Sequence, residues 1–147
     1  IEDIGWRTTK IRTLQNNTVV VPNAKLADSI VTNFQAPTPQ ILVTVPCGVS
    51  YESDLEQVRR VTLEVAREVI NEVPGAVKEF EPQVLFYEFG DSNVNFRTIL
   101  KAKDYPSQAV ITDAFMSKLH SRFSKEGIEI NYPVRKLVQA PHNSPKP

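Results

Sequence analysis

Two histidines, one cysteine and a scatter of serine and aspartate are the side chains from which this chain would have to build nucleophilic or metal chemistry. His120 falls in a helix-type run and His142 in a proline-rich tail. They share no cysteine or carboxylate spacing that would close a metal site. Ser, His and Asp occur without a nucleophile elbow or an oxyanion motif. Cys47 sits in an apolar β-type run and reads as a small buried hydrophobe. A lone cysteine builds neither a disulfide framework nor a thiolate site, and it fits a reducing compartment. No G-x-x-x-x-G-K-[ST] or G-x-G-x-x-G occurs, so a phosphate-cradling loop has no support. Neither catalysis nor a cofactor is expected.

Charge and aromatic rings offer a second chemistry, recognition. The 17 basic and 17 acidic residues cancel, which argues against the basic footprint of a nucleic-acid binder. Arg59-Arg60 and Arg97, Lys101, Lys103 are clusters. The ordinary reading is a solvated face; the alternative is that some line a water-filled interior or a subunit seam. Phe86, Tyr87, Phe89 and Phe96 could stack bases on an open sheet. However, Arg97-Thr98-Ile99 lacks the Gly-and-aromatic signature of RNA-recognition modules. Residues Pro37–Pro133 also carry ten basic against fourteen acidic side chains, a net charge of −4. These aromatics read as core or interface, and no nucleic-acid partner is expected. A soluble small-ligand- or RNA-binding module stays open as the alternative, because fold does not fix function.

The elements that must position these residues fall into blocks. Residues 1–35 read as β. Lys10–Leu14 alternates, with Ile11 and Thr13 opposite Arg12. Thr18–Val21 is β-branched, and Pro22 ends it because proline cannot donate to a ladder. Asn23 reads as the cap of a one-turn helix over Ala24–Asp28, and Ser29–Phe34 as a third β run. Some 35 residues without cysteine or histidine are too few for a core of their own. The block needs other surface to pack on, from the rest of the chain or from further copies. Gln35–Gln40, with Pro37 and Pro39, reads as a semi-rigid linker.

Residues 40–132 give the order β, α, β, β, α, β. Ile41–Cys47 is a strand. Ser53 with Glu56 reads as a capping box for a helix over Asp54–Val73. Its apolar stripe is Leu55, Val58, Thr62, Val65, Val69 and Val73, and Pro74-Gly75 stops it. Gln83–Phe89 and Val94–Lys103 flank a Gly90–Asn93 turn. Ile111, Phe115, Leu119 and Phe123 mark a helix from about Ser107 to Lys125, ended by Gly127. Ile128–Tyr132 reads as the last strand. Two split β-α-β units of this kind form a ferredoxin-like motif. Val134–Ala140 is a further β-type run with no evident partner in the domain, and the proline-rich residues 141–147 read as a disordered tail. The predicted fold class is therefore α+β. Its blocks are 1–36, a β domain; 37–133, a ferredoxin-like domain; 134–140, a C-terminal strand; and 141–147, the tail.

The most specific stretch is Lys10–Leu14 (KIRTL) read with Thr18–Phe34 (TVVVPNAKLADSIVTNF). It resembles the "R-T-L … V-x-V-P-N-x-x-L-x-x-S-I-x-x-N" run in the β-rich domain of the MscS family of small-conductance mechanosensitive channels. The resemblance covers residues 1–140. It implies an Sm-like β domain, then a ferredoxin-like domain, then a strand in a small barrel. The matched positions are Arg12, Thr13, Leu14, Pro22, Asn23, Leu26, Ser29, Ile30 and Asn33, implied to be structural and subunit-interface residues. Val134, Arg135, Lys136, Leu137 and Val138 would be the barrel strand. The resemblance further implies a homo-oligomer, a heptameric ring, placed on the cytoplasmic side of the inner membrane. There it would form a cage whose side portals filter ions and small solutes released under tension in hypoosmotic shock.

No run of 18 or more apolar residues occurs, so no helical span is expected here, and residues 1–7 do not read as a signal peptide. The first residue is Ile rather than Met. This predicts a longer parent protein, attached to the membrane through helices upstream of this chain.

Overall fold

β-branched Thr8-Thr9 and Thr18–Val21 favour extended backbone, and they form the heart of the first of two sheets. The computed structural model describes residues 1–13, 15–30 and 37–130. The chain divides into two units, Ile1–Asn33 and Phe34–Pro147.

The first unit is an antiparallel meander of β1 (Asp3–Ile4), β2 (Thr8–Arg12) and β3 (Thr18–Pro22), in that spatial order. Register runs from Arg12 opposite Thr18 to Thr8 opposite Pro22. Asn16 closes the β2–β3 turn at φ 65°, a left-handed geometry that Asn tolerates. A one-turn helix, α1 (Asn23–Ala27), follows directly. The expected cap differs. Pro22 holds the N-cap position and Asn23 is the first helical residue, with no side-chain cap. The reason is that the Asn23 side chain is bonded to a turn far back in the sequence. The expected β run from Ser29 also differs where it can be seen: Ser29 and Ile30 lie in no strand, and Ser29 instead closes the end of α1. Its remaining positions lie outside the described residues.

The second unit is a three-stranded antiparallel sheet, in the order β4-β6-β5, with two helices packed on one face. Its elements are β4 (Ile41–Val49), α2 (Leu55–Glu72), β5 (Gln83–Phe89), β6 (Val94–Ala102) and α3 (Tyr105–Glu126). Alternation decides the buried face: Val94, Phe96, Thr98, Leu100 and Ala102 are buried, with Val43, Val45 and Val49 beside them. The helices bring Val58, Val61, Val65, Val69, Ile111, Phe115 and Phe123. Phe96 sits centrally, 5.6 Å from Phe86 and 6.4 Å from Phe123 between ring centroids. Each such ring removed from water contributes about 1.5–3 kcal/mol.

Asp54, not Ser53, caps α2. Its carboxylate accepts from the N–H groups of Glu56 and Gln57, whereas the Ser53 N–H is held in a turn by the Ser50 carbonyl. Asp104 caps α3, so that helix begins at Tyr105, two residues earlier than its sequence pattern suggests. The Ser107 hydroxyl and N–H both donate to Asp104, and they hold its carboxyl below the ordinary range. Gly127, at φ 69°, ends α3 in the left-handed cap that glycine favours. An ion-pair ladder joins the helices. Glu64, Glu68 and Glu72 of α2 face Arg122 and Lys118 of α3, and the bond to Glu72 raises the pKa of Lys118.

The expected last strand is not seen in its described part. Ile128–Ile130 form no regular strand, although the Glu129 carbonyl accepts from Ser50 N–H at 3.0 Å, just past the end of β4. Asn131 and Tyr132 lie outside the described residues, as do Val134, Arg135, Lys136, Leu137, Val138 and the 141–147 tail. Cys47 is half-buried against the core, and burial pushes its thiol pKa up. His120 is exposed on α3, and His142 is outside the described residues. Among the described residues no group of His, Cys, Asp and Glu could hold a metal, and no helix is long and apolar enough to cross a membrane.

Candidate functional site

Three strands and one helical turn bury almost nothing of their own. Among the described residues of the first unit, Thr9 alone is buried. Ile1, Ile4, Trp6, Val19, Val20 and Ile30 are all exposed, Trp6 at 87% and Ile30 at 99%. A sheet in this condition is held by hydrogen bonds, and those bonds centre on the sequence-singled residues.

Asn23 is the hub. Its backbone N–H donates to the Arg7 carbonyl at 2.9 Å. Its Nδ2 donates to the Gly5 carbonyl at 2.9 Å and the Trp6 carbonyl at 3.3 Å. Its Oδ1 accepts from the buried Thr9 hydroxyl at 2.8 Å. One side chain therefore ties the start of α1 to the β1–β2 turn. Pro22 precedes it at φ −58° and ψ 134°, extended backbone that turns directly into the helix. Ser29 Oγ donates to the Lys25 and Leu26 carbonyls, satisfying two acceptors at the end of α1. Leu26 is half-buried.

Arg12 sits at the other end. It pairs with Glu2 across the meander and donates to Asn16 Oδ1 at 3.1 Å. Thr13 anchors the turn: its N–H donates to Asn17 O at 2.9 Å, and its hydroxyl accepts from Asn17 N–H at 3.3 Å. Arg12, Thr13, Asn23 and Ser29 thus make side-chain hydrogen bonds within this unit, while Ile30 is exposed. Leu14 and Asn33 lie outside the described residues.

Sequence reasoning passed over Thr9, Gly5 and Trp6, the partners of Asn23. Among the described residues Trp6 is the most exposed large ring, and the Arg7 guanidinium lies over it at 4.8 Å. The available signal was the Thr8-Thr9 pair, whose alternation puts one hydroxyl on the inner side.

The arrangement leaves several large apolar side chains of the first unit exposed. Residues 43–130 match the family model described as mechanosensitive ion channel MscS, C-terminal. Residues 1–36 match the mechanosensitive ion channel beta-domain. The chain belongs to the MscS family of mechanosensitive ion channels. Members are membrane proteins that conduct ions, not enzymes.

A large-conductance mechanosensitive channel of Methanocaldococcus jannaschii is 33% identical over 93% of this chain and 38% of its own length. A small-conductance channel of the same organism is 31% identical over 90% of this chain and 37% of its own. The chain thus spans less than two-fifths of these relatives. The closed-state crystal structure of Helicobacter pylori MscS has a TM-score of 0.77 at 25% identity. It covers 97% of this chain and 54% of that one. Arabidopsis thaliana MSL1, at 12% identity and a TM-score of 0.66, shares the fold.

Proposed function

We propose that this MscS-family chain is the vestibule of a mechanosensitive channel. It is a homo-oligomeric, heptameric ring on the cytoplasmic side of the inner membrane, attached through membrane helices outside this chain. The ring forms a cage with side portals, which filter ions and small solutes released under tension during hypoosmotic shock. Blocks 1–36 and 37–133 supply its two layers, and Val134–Ala140 supplies a strand of a closing barrel.

The observation that carries this reading is the first unit's missing core. A three-stranded meander with only Thr9 buried and six large apolar side chains exposed needs cover. It has neither a disulfide nor a metal cluster among its described residues to replace that cover. Neighbouring copies supply it at no cost in sequence, and closure of a ring leaves no copy uncovered. Rings of like charge at a portal then bias which ions enter.

Light scattering on the purified chain tests the ring. A monomer in which β2 and β3 keep slow-exchanging amides would remove the argument, because the meander would then be stable uncovered. Deleting residues 134–147 tests the barrel: a lower oligomer melting temperature is expected, and an unchanged mass and melt would eliminate it.

A further inference from the structure

The β1–β2 turn of the first unit is tied down through its backbone and open at its side chains. The Gly5 N–H donates to the Thr8 carbonyl at 2.8 Å, and the Asn23 N–H to the Arg7 carbonyl at 2.9 Å. Asn23 Nδ2 donates to the Gly5 and Trp6 carbonyls. All four carbonyls from Gly5 to Thr8 therefore have a donor. The Trp6 ring is nevertheless 87% exposed, and Ile4, the last residue of β1, is 70% exposed beside it. The Arg7 guanidinium lies 4.8 Å from the Trp6 ring centroid. Arg7 forms no ion pair among the described residues. The carboxylates just before the turn, Glu2 and Asp3, are already paired with Arg12 and Lys10.

A fixed turn that displays an indole under an unpaired guanidinium suits a particular kind of surface. An indole has an apolar body and a polar N–H, so it settles where hydrocarbon meets water, and tryptophan is enriched at that depth of a bilayer. An arginine lays its stem along such a ring while its head reaches outward, and its planar fork matches a phosphate. A second copy of the chain is a poorer cover. It would have to bury the guanidinium together with the ring, and a buried charge without its own partner is costly. A bilayer interface keeps that charge among headgroups and water. Val19 and Val20 differ, because they lie opposite Ile11 and Lys10 in the body of the sheet. A neighbouring copy can cover them without reaching the turn.

We propose that the β1–β2 turn is a bilayer anchor, with the Trp6 indole and Ile4 at the headgroup boundary and the Arg7 guanidinium on a lipid phosphate. This rests on the reading of the chain as one attached at a membrane, and it adds a contact that the ring does not supply.

The chain holds one tryptophan, so its indole emission reports this turn alone. The test adds vesicles of equimolar phosphatidylcholine and phosphatidylglycerol, with and without brominated acyl chains, to the whole chain. A blue shift on adding vesicles, and quenching by the brominated lipid, are expected. Arg7→Glu, confirmed as folded by a thermal melt, should weaken vesicle binding about tenfold or more. Emission that vesicles do not move would overturn the anchor, while light scattering reads the ring separately. Emission already blue-shifted without vesicles and untouched by brominated lipid would put a protein surface over Trp6, which also overturns it. So would an Arg7→Glu variant that binds vesicles as tightly as the native chain.

Discussion

Replacing Asn23 by alanine removes three side-chain hydrogen bonds at once. Two run to the Gly5 and Trp6 carbonyls at 2.9 and 3.3 Å, and the third comes from Thr9 at 2.8 Å. The carbonyls belong to an exposed turn, so water replaces the lost donor there. Each of those bonds costs toward the lower end of ~0.5–1.5 kcal/mol. Thr9 is different. It is 4% exposed, and a buried hydroxyl left without its acceptor costs ~1–3 kcal/mol. The total is about 2–4 kcal/mol for the β2–β3–α1 unit. At 1.4 kcal/mol per decade, amides of β2 and β3 should exchange about 30- to 700-fold faster. Hydrogen exchange reads this directly in the assembled protein, with the amides of α2 and α3 as an unperturbed internal reference. Thr9→Val supplies the second edge of a double-mutant cycle. It removes the donor that Asn23→Ala strands, so the double variant should cost about 1 kcal/mol less than the sum of the singles. Exchange within about twofold of wild type, or strict additivity, would refute Asn23 as the hub.

Four further outcomes follow from the second unit. Among the described residues the hydroxyls of Thr62 and Thr98 are buried without a partner, so Thr62→Val and Thr98→Val should each stabilise by about 1 kcal/mol in chemical denaturation; a loss of that size would show that a partner had been removed. Gly75 sits at φ +91°, where an added Cβ would lie 2.6 Å from Ser107 Cβ. Gly75→Ala should therefore cost at least about 1–3 kcal/mol by the same assay, and a neutral result would contradict the positive φ and the close approach to Ser107. Asp104 has its carboxyl pKa lowered on folding by Ser107. Its contribution is complete above the unfolded carboxylate range and is lost as pH falls through the folded value. Asp104→Ala should flatten the acid limb of a melting-temperature profile below about pH 4 and leave its slope near neutrality unchanged. Cys47, with its thiol pKa raised by burial, should alkylate far more slowly in the folded protein than in denaturant; equal rates would place it outside the core.

Much of the second unit was legible because its signals are local and periodic. Ile111, Phe115, Leu119 and Phe123 recur every four residues, and all four are buried. Val94–Ala102 alternates, and its buried and outward faces separate cleanly. The Gly90–Asn93 turn closes with Gly90 N–H on the Asn93 carbonyl at 2.8 Å. Besides the expected last strand, whose described part Ile128–Ile130 is not regular, misses lie at element ends, where neighbouring residues compete for one role. Ser53 and Asp54 both suit an N-cap, and only the backbone path put the Asp54 carboxylate within reach of two N–H groups. The stripe read for α2 was also too narrow. Val61, Ala66 and Ile70 are buried as well, because α2 packs on both the sheet and α3.

By itself, the sequence determined the α+β class, the order β4-α2-β5-β6-α3 and the family. Those depend on propensity, period and residue runs, which act within a few positions of each other. The tertiary structure alone decided what Asn23 does, because its partners are 14 to 18 residues away and only chain folding brings them within bonding distance. It also decided where Phe89 points. Strict alternation puts Phe89 on the open face with Tyr87, and a bulge against β6 moves it to the other. A bulge is a property of two paired strands, so neither strand's sequence encodes it separately.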